Sequence, residues 1–147
     1  MFKHILVSTD GSKLSQKAIR IAVRLAKASG AAVSGAYVIA PYAPPYGEAA
    51  MYVATLSARR YKEVTQKEAR KALAEVEVEA SAAGVRYSGI MLTADTPWEG
   101  IIRSAMRKKC DLIVMASHGR RGLRGLILGS ETAKVLTHTK IPVLVCR

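Results

Sequence analysis

Five strand-like runs, at residues 5–7, 32–39, 86–93, 111–115 and 142–146, alternate with four stretches of helical periodicity, and this alternation limits the fold more than any other feature of the chain. Runs such as Ile5-Leu6-Val7 are apolar at every position rather than at every second one, as strands covered on both faces are. The first helical stretch sets Leu14, Ala18, Ile21, Ala22 and Leu25 on one face, and Gly30 follows it where a C′ glycine belongs. The order βαβαβαβαβ predicts a parallel sheet, because right-handed crossovers lay each helix over one face or the other. The expected fold class is therefore α/β, a single-domain five-stranded parallel sheet with helices on both faces.

The remaining elements follow from local chemistry. Pro41, Pro44, Pro45 and Gly47 preclude regular structure, so residues 40 to about 51 form a long loop, either a lid or partner surface or a plain tether. The longest helix runs from about 55 to 83, with Val64, Leu73, Val76 and Ala80 on its buried side, and Gly84 ends it. Thr96-Pro97-Trp98-Glu99 matches a capping box with proline at the first helical position. Ile101, Ile102, Ala105 and Met106 make the buried face of that helix, and a short helix from 130 to about 137 precedes the last strand.

A chain of 147 residues is one ordinary domain. Its apolar runs fall far short of a membrane span, and the N-terminus lacks the apolar core of a secretion signal, so cytoplasm is the expected location. Cys110 and Cys146 lack CxxC spacing or a nearby histidine and read as buried, inert thiols. A net charge of +12 attracts polyanions without specifying one. The cations of residues 13–27 and 59–71 lie on helical patterns whose other face is apolar, so they read mainly as solvated helix surface. With no aromatics interleaved among the arginines and no recognisable reading helix, no specific nucleic-acid partner is expected.

The chemistry concentrates near the C-terminus. Ala116-Ser117-His118-Gly119 follows an apolar run, Gly129-Ser130 opens a helical pattern, and the stretch between carries Arg120, Arg121 and Arg124 with Gly122 and Gly125. A strand, a basic glycine-containing turn and a helix started by serine supply free N–H groups, little bulk and a helix N-terminus, which is what a phosphate needs. In open parallel sheets the ligand crevice lies beyond the carboxyl ends of strands where strand order reverses, and Asp10, Ile39-Ala40 and residues 116–119 sit at such ends. Neither GxxxxGK[ST] nor GxGxxG is present, which excludes a P-loop and the common dinucleotide fingerprint. His118 has no base and acid at hydrolase spacing and reads as a loop histidine; Trp98 reads as core or helix cover.

These residues resemble the universal stress proteins, whose nucleotide-binding members carry G-x2-G-x9-G-[ST] after the fourth strand. Here Ala116 takes the first glycine's place, Gly119 the second, and Gly129-Ser130 completes the motif. The likeness spans the chain, from Ile5-Leu6-Val7-Ser8-Thr9-Asp10-Gly11-Ser12 through Tyr37-Val38-Ile39 and Asp111-Leu112-Ile113-Val114-Met115 to Ile141-Pro142-Val143-Leu144-Val145. It implies a Rossmann-like fold of the adenine-nucleotide alpha hydrolase kind, a homodimer joined through the last strand, and ATP or AMP, with or without Mg2+, at the ends of strands one, two and four. It sets Thr9 and Asp10 beside purine and ribose, Val38 and Met115 along the base, and Ala116, Gly119, Gly129, Ser130, Glu131 and Thr132 around ribose and phosphates. Ala116 departs from the motif: a methyl group is costly there if the backbone needs positive φ and harmless if it is extended. Three readings stay open: a stress-response switch driven by an adenine nucleotide, a nucleotide-free interaction protein of the same fold, and a slow ATPase. The phosphate loop lacks a P-loop lysine and an evident water-activating carboxylate, so any hydrolysis is expected to be weak.

Overall fold

The computed structural model describes residues 1–44, 50–119 and 128–147, without the side chains of 50–56. The elements run β1 (His4–Ser8), α1 (Lys13–Ser29), β2 (Ala32–Ile39), α2 (Ala50–Ala82), β3 (Tyr87–Thr93), α3 (Pro97–Arg107), β4 (Leu112–Ala116), α4 (Ser130–His138) and β5 (Val143–Cys146). The strands form one sheet in the order β3-β2-β1-β4-β5, and every pairing is parallel. Successive side chains of a strand point to opposite faces, and the core divides accordingly. Ile5, Val7, Val33, Leu112 and Val114 pack with Ala18, Ile19, Ala22, Val23 and Ala26 of α1 and Val76 and Ala80 of α2. Leu6, Ala36, Ile113 and Met115 pack with Ile101 and Ala105 of α3 and Val135 of α4. The expected α/β sheet with helices on both faces is the observed one.

Helix ends mostly follow the sequence signals, although α2 begins at Ala50, about five residues before the expected start and inside the expected loop, of which residues 45–49 lie outside the described residues. Ser12 caps α1 by accepting the Ser15 N–H at 3.2 Å, and Gly30 ends it in the left-handed region at φ +68°. Gly84 does the same after α2 at φ +69°, with the Val85 N–H reaching back to the Ala80 carbonyl at 2.9 Å. The expected capping box of α3 does not form. Thr96 makes no side-chain cap bond and its hydroxyl is buried without a partner, while the Trp98 N–H is held at 2.9 Å by Glu131 Oε2 of α4. Two expected core residues also lie outside. Val64 is 47% exposed because α2, about 50 Å long at 1.5 Å per residue, overhangs strands about half that length. Met106 is 66% exposed because the buried face of α3 centres on Ile101, Ser104 and Ala105. Among the described residues no helix is long and apolar enough to cross a membrane. Both cysteines are buried and free, and burial pushes the Cys110 thiol up to about 11 and raises that of Cys146, so the thiols are neutral.

At the amino ends of the strands a polar chain crosses the sheet. Lys108 Nζ donates to Ser88 Oγ at 3.2 Å, Ser88 Oγ meets Ser34 Oγ at 2.8 Å, and Ser34 Oγ meets His4 Nε2 at 2.9 Å. An ammonium can only donate, so Ser88 accepts from Lys108, and a chain in which Ser88 donates to Ser34 and Ser34 to an unprotonated Nε2 satisfies every group. Burial accordingly lowers the His4 pKa from 6.5, against a hydrogen bond to the Lys108 main chain that favours the charged ring. A protonated Nε2 would instead donate to Ser34 and turn both hydroxyls, leaving Ser88 to accept from Ser34 as well as from Lys108.

Two outcomes are expected. As pH falls, an unfolded His4 takes up its proton before the folded one does, so the stability it contributes is complete above 6.5 and is lost as pH drops towards the lower folded value. The melting temperature of His4→Gln should therefore fall less than that of the native chain between about pH 7.5 and 5; parallel losses would show that His4 does not titrate there. At the end of α3, Lys109 holds φ +52° without being glycine, while the Cys110 N–H bonds the Ala105 carbonyl at 2.8 Å. Lys109→Gly should raise stability by about 0.5–1 kcal/mol in urea titration, since the left-handed region carries a Cβ penalty that glycine lacks.

Candidate functional site

The strand order reverses between β1 and β4, and two turns leave the carboxyl ends of these strands towards opposite faces. The first turn is tied by its own side chains. Thr9, only 6% exposed, keeps its main chain in the sheet by donating to the Ala36 carbonyl at 3.0 Å. Its hydroxyl accepts the Gly11 N–H at 3.1 Å and pairs with Ser15 Oγ at 3.1 Å. Asp10 Oδ1 accepts the Ser12 N–H at 2.9 Å, and Gly11 at φ +75° lets the chain bend into α1. The Thr9 hydroxyl is thus engaged in building the turn, whereas Asp10 stands at its lip.

The second turn is pinched at its base. Ser117 N–H donates to the Cys146 carbonyl at 2.7 Å, and Gly129 N–H donates to the Ser117 carbonyl at 2.7 Å, closing the excursion from β4. Thr132, buried in the first turn of α4, donates its hydroxyl to the carbonyls of Ala116 and Ser117 at 3.0 and 3.2 Å. A Cβ at position 129 would lie 3.0 Å from the Ser117 carbonyl oxygen and 3.2 Å from His118 Cα, so close backbone approach favours glycine there. A Cβ at Gly119 would meet Asp10 Oδ2 at 2.8 Å, which shows that the two turns touch across the crevice. Ala116 is extended strand paired with Cys146, so its methyl imposes no backbone strain.

Gly129 is the N-cap of α4 at φ −71° and offers no side chain, so Ser130, Glu131 and Thr132 begin the helix with main-chain donors that have no intrahelical partner. Those donors and the positive end of the helix dipole favour an anion. The Glu131 carboxylate is drawn away to α3, on Trp98 N–H, with Lys134 Nζ at 3.4 Å from its other oxygen.

Of the expected site residues, Asp10, Ala116, Gly119, Gly129, Ser130 and Thr132 gather at the β1/β4 ends, with Thr9 beneath them. Val38 stands further along the sheet at the end of β2, its side chain against α3, where a Cβ at Gly100 would come within 2.5 Å of it. Met115 is 4% exposed in the α3–α4 core. His118 Nδ1 lies 3.2 Å from Ser117 Oγ, and Ser117 is 2% exposed, so this pair has no open nucleophile. Trp98 covers α4, its ring 4.5 Å from that of His138. Arg120, Arg121, Arg124, Gly122 and Gly125 lie outside the described residues. Sequence reasoning missed the Ser12–Ser15 bracing of the first turn, which the Asp-x-Ser spacing signals, and the Glu131–Trp98 tie, which no local pattern signals.

Comparison with known proteins agrees with this geometry. The sequence profile of the universal stress protein family matches residues 1–147. Universal stress protein YxiE of Bacillus subtilis is 33% identical over 151 residues, covering 100% of both chains. The solved structure of MJ0577 from Methanocaldococcus jannaschii superposes with a TM-score of 0.78 at 27% identity, over 99% of this chain and 96% of that one. A universal stress protein solved in complex with cAMP superposes with a TM-score of 0.71 at 25% identity, over 99% and 97% of the two chains. With the whole length matched in both sequence and fold, the chain belongs to the universal stress protein family.

Proposed function

We propose that this protein is a cytoplasmic switch of the stress response that binds ATP or AMP at the β1/β4 crevice and works through a change of conformation or assembly. The observation that carries the reading is the uncapped start of α4: Gly129 leaves the first-turn donors of Ser130, Glu131 and Thr132 without intrahelical partners, in the same turn whose Gly119 lies against Asp10. The donors suit phosphate oxygens, and the Asp10 carboxylate, an acceptor, suits ribose hydroxyls. The relative solved with cAMP supports an adenine nucleotide as the class of ligand. Mg2+ would add charge neutralisation on the phosphates, with Asp10 the carboxylate at hand. Hydrolysis, if any, is slow, because the cradle has no P-loop lysine to stabilise the developing charge.

Titration calorimetry with ATP and AMP tests this. The native chain should bind at least one of them, and Gly129→Val, checked as folded by circular dichroism, should bind about tenfold or more weakly, a difference of about 1.4 kcal/mol. Equal binding by both would remove the cradle, and a native chain that binds neither after soaking would favour a nucleotide-free interaction protein.

The same reading includes a homodimer through β5. That strand is an edge of the sheet, and Leu144 on it is 37% exposed, so its open side suits pairing with a second copy. Sedimentation velocity at tens of micromolar should show a dimer that Leu144→Lys shifts towards monomer; a lone monomer in the native sample rejects the interface.

A further inference from the structure

Every fully exposed charged position of α1 is a cation. Lys13, Lys17, Arg20, Arg24 and Lys27 recur at steps of four, three, four and three residues, all five are exposed, and α1 contains no acidic residue. They make a single ridge about 21 Å long at 1.5 Å per residue. An ordinary solvated helix does not look like this. In α2, Arg59, Arg60, Lys62, Lys67, Arg70 and Lys71 are offset by Glu63, Glu68, Glu75, Glu77 and Glu79.

The arrangement works against the helix that bears it. Lys13 occupies the first turn, at the positive end of the dipole, and neighbours three or four residues apart repel by about 0.2–0.5 kcal/mol each. Among the described residues no side-chain carboxylate pairs with Lys13, Arg20, Arg24 or Lys27, while Lys17 donates to the main-chain oxygen of Arg147. Self-repulsion of this kind is relieved by an external anion.

We propose that the α1 ridge is a sequence-independent docking surface for the phosphate backbone of a nucleic acid. Its shape favours a linear polyanion over an anionic membrane. The α1–α2 cleft beside Arg20 carries Glu75 and Glu79, which a broad negative plane would have to cover and a narrow strand would not. No large apolar side chain is exposed on α1 to enter a bilayer; among the described residues the exposed ones are Met1, Val64, Val78, Met106, Leu136 and Leu144. No aromatic or Asn is exposed along the ridge, and the part-buried Gln16 gives its amide to Glu75 at 3.2 Å, so binding rests on phosphates.

Fluorescence anisotropy with a labelled DNA duplex of about 20 base pairs tests the proposal. With about four phosphate contacts, affinity should fall roughly a hundredfold between about 50 and 200 mM salt. Arg20→Gln with Arg24→Gln should weaken binding about tenfold at low salt and lower the salt slope by about two, whereas the charge-matched pair Arg60→Gln with Lys62→Gln should stay within about twofold. Circular dichroism should show the α1 double variant melting no lower than native, as repulsion is removed. Equal weakening by both double variants would mean diffuse net charge rather than a ridge, and absence of binding at low salt would end the proposal. Phosphatidylserine vesicles that bind more tightly than the duplex, with that binding lost in the α1 variant, would reassign the surface to membranes and overturn it as well.

Discussion

The parallel pairing of β1 with β4 is the constraint on which the rest of the structure depends. Ile5, Leu6 and Val7 face Leu112, Ile113 and Val114 in register, fully covered from both sides by helices. The connection after β1 turns into α1 over one face, and the excursion after β4 ends in α4 over the other. Two chains that diverge from neighbouring strand ends cannot fill the space between them, so a crevice forms beyond the carboxyl ends. Among the described residues, both turns are held by main-chain and short polar groups.

Among the described residues, the two turns approach each other through backbone and short side chains. Gly129 is fixed by the approach of the Ser117 carbonyl and His118, Gly119 by the carboxylate of Asp10, and Thr132 locks the first turn of α4 to the end of β4. The tie from Glu131 to Trp98 N–H has a second effect: the carboxylate nearest the donors of α4 serves the start of α3 instead. One acidic side chain thus serves the N-terminus of the neighbouring helix and leaves that of its own helix without a side-chain cap.

Polarity is also divided along the strands. The carboxyl ends carry the open donors and Asp10, while the amino ends carry a closed hydrogen-bond chain from Lys108 through Ser88 and Ser34 to His4. Asp111 adds to that closure by accepting the N–H groups of Lys3 and His4 at 2.8 and 3.0 Å. The amino-end groups are bonded within the protein, whereas the first-turn main-chain donors of α4 have no intrahelical partner. The charge of α1 belongs to neither end but to the outer surface.

The sequence by itself determined the order of elements, the parallel sheet, most helix ends and the motif of Gly119, Gly129 and Ser130, because each is a matter of local period or of a residue's own backbone chemistry. Gly30 and Gly84 were legible as helix stops for that reason, and Ile5-Leu6-Val7 as a doubly covered strand. Only the tertiary structure decided that Thr96 would not cap α3, that Val64 and Met106 would face solvent, and that the Thr9 hydroxyl would brace a turn. Each of those depends on a partner distant in the chain or on how far a helix extends past the sheet, as Glu131 is distant from Trp98, and a local pattern contains no information about which distant group arrives first.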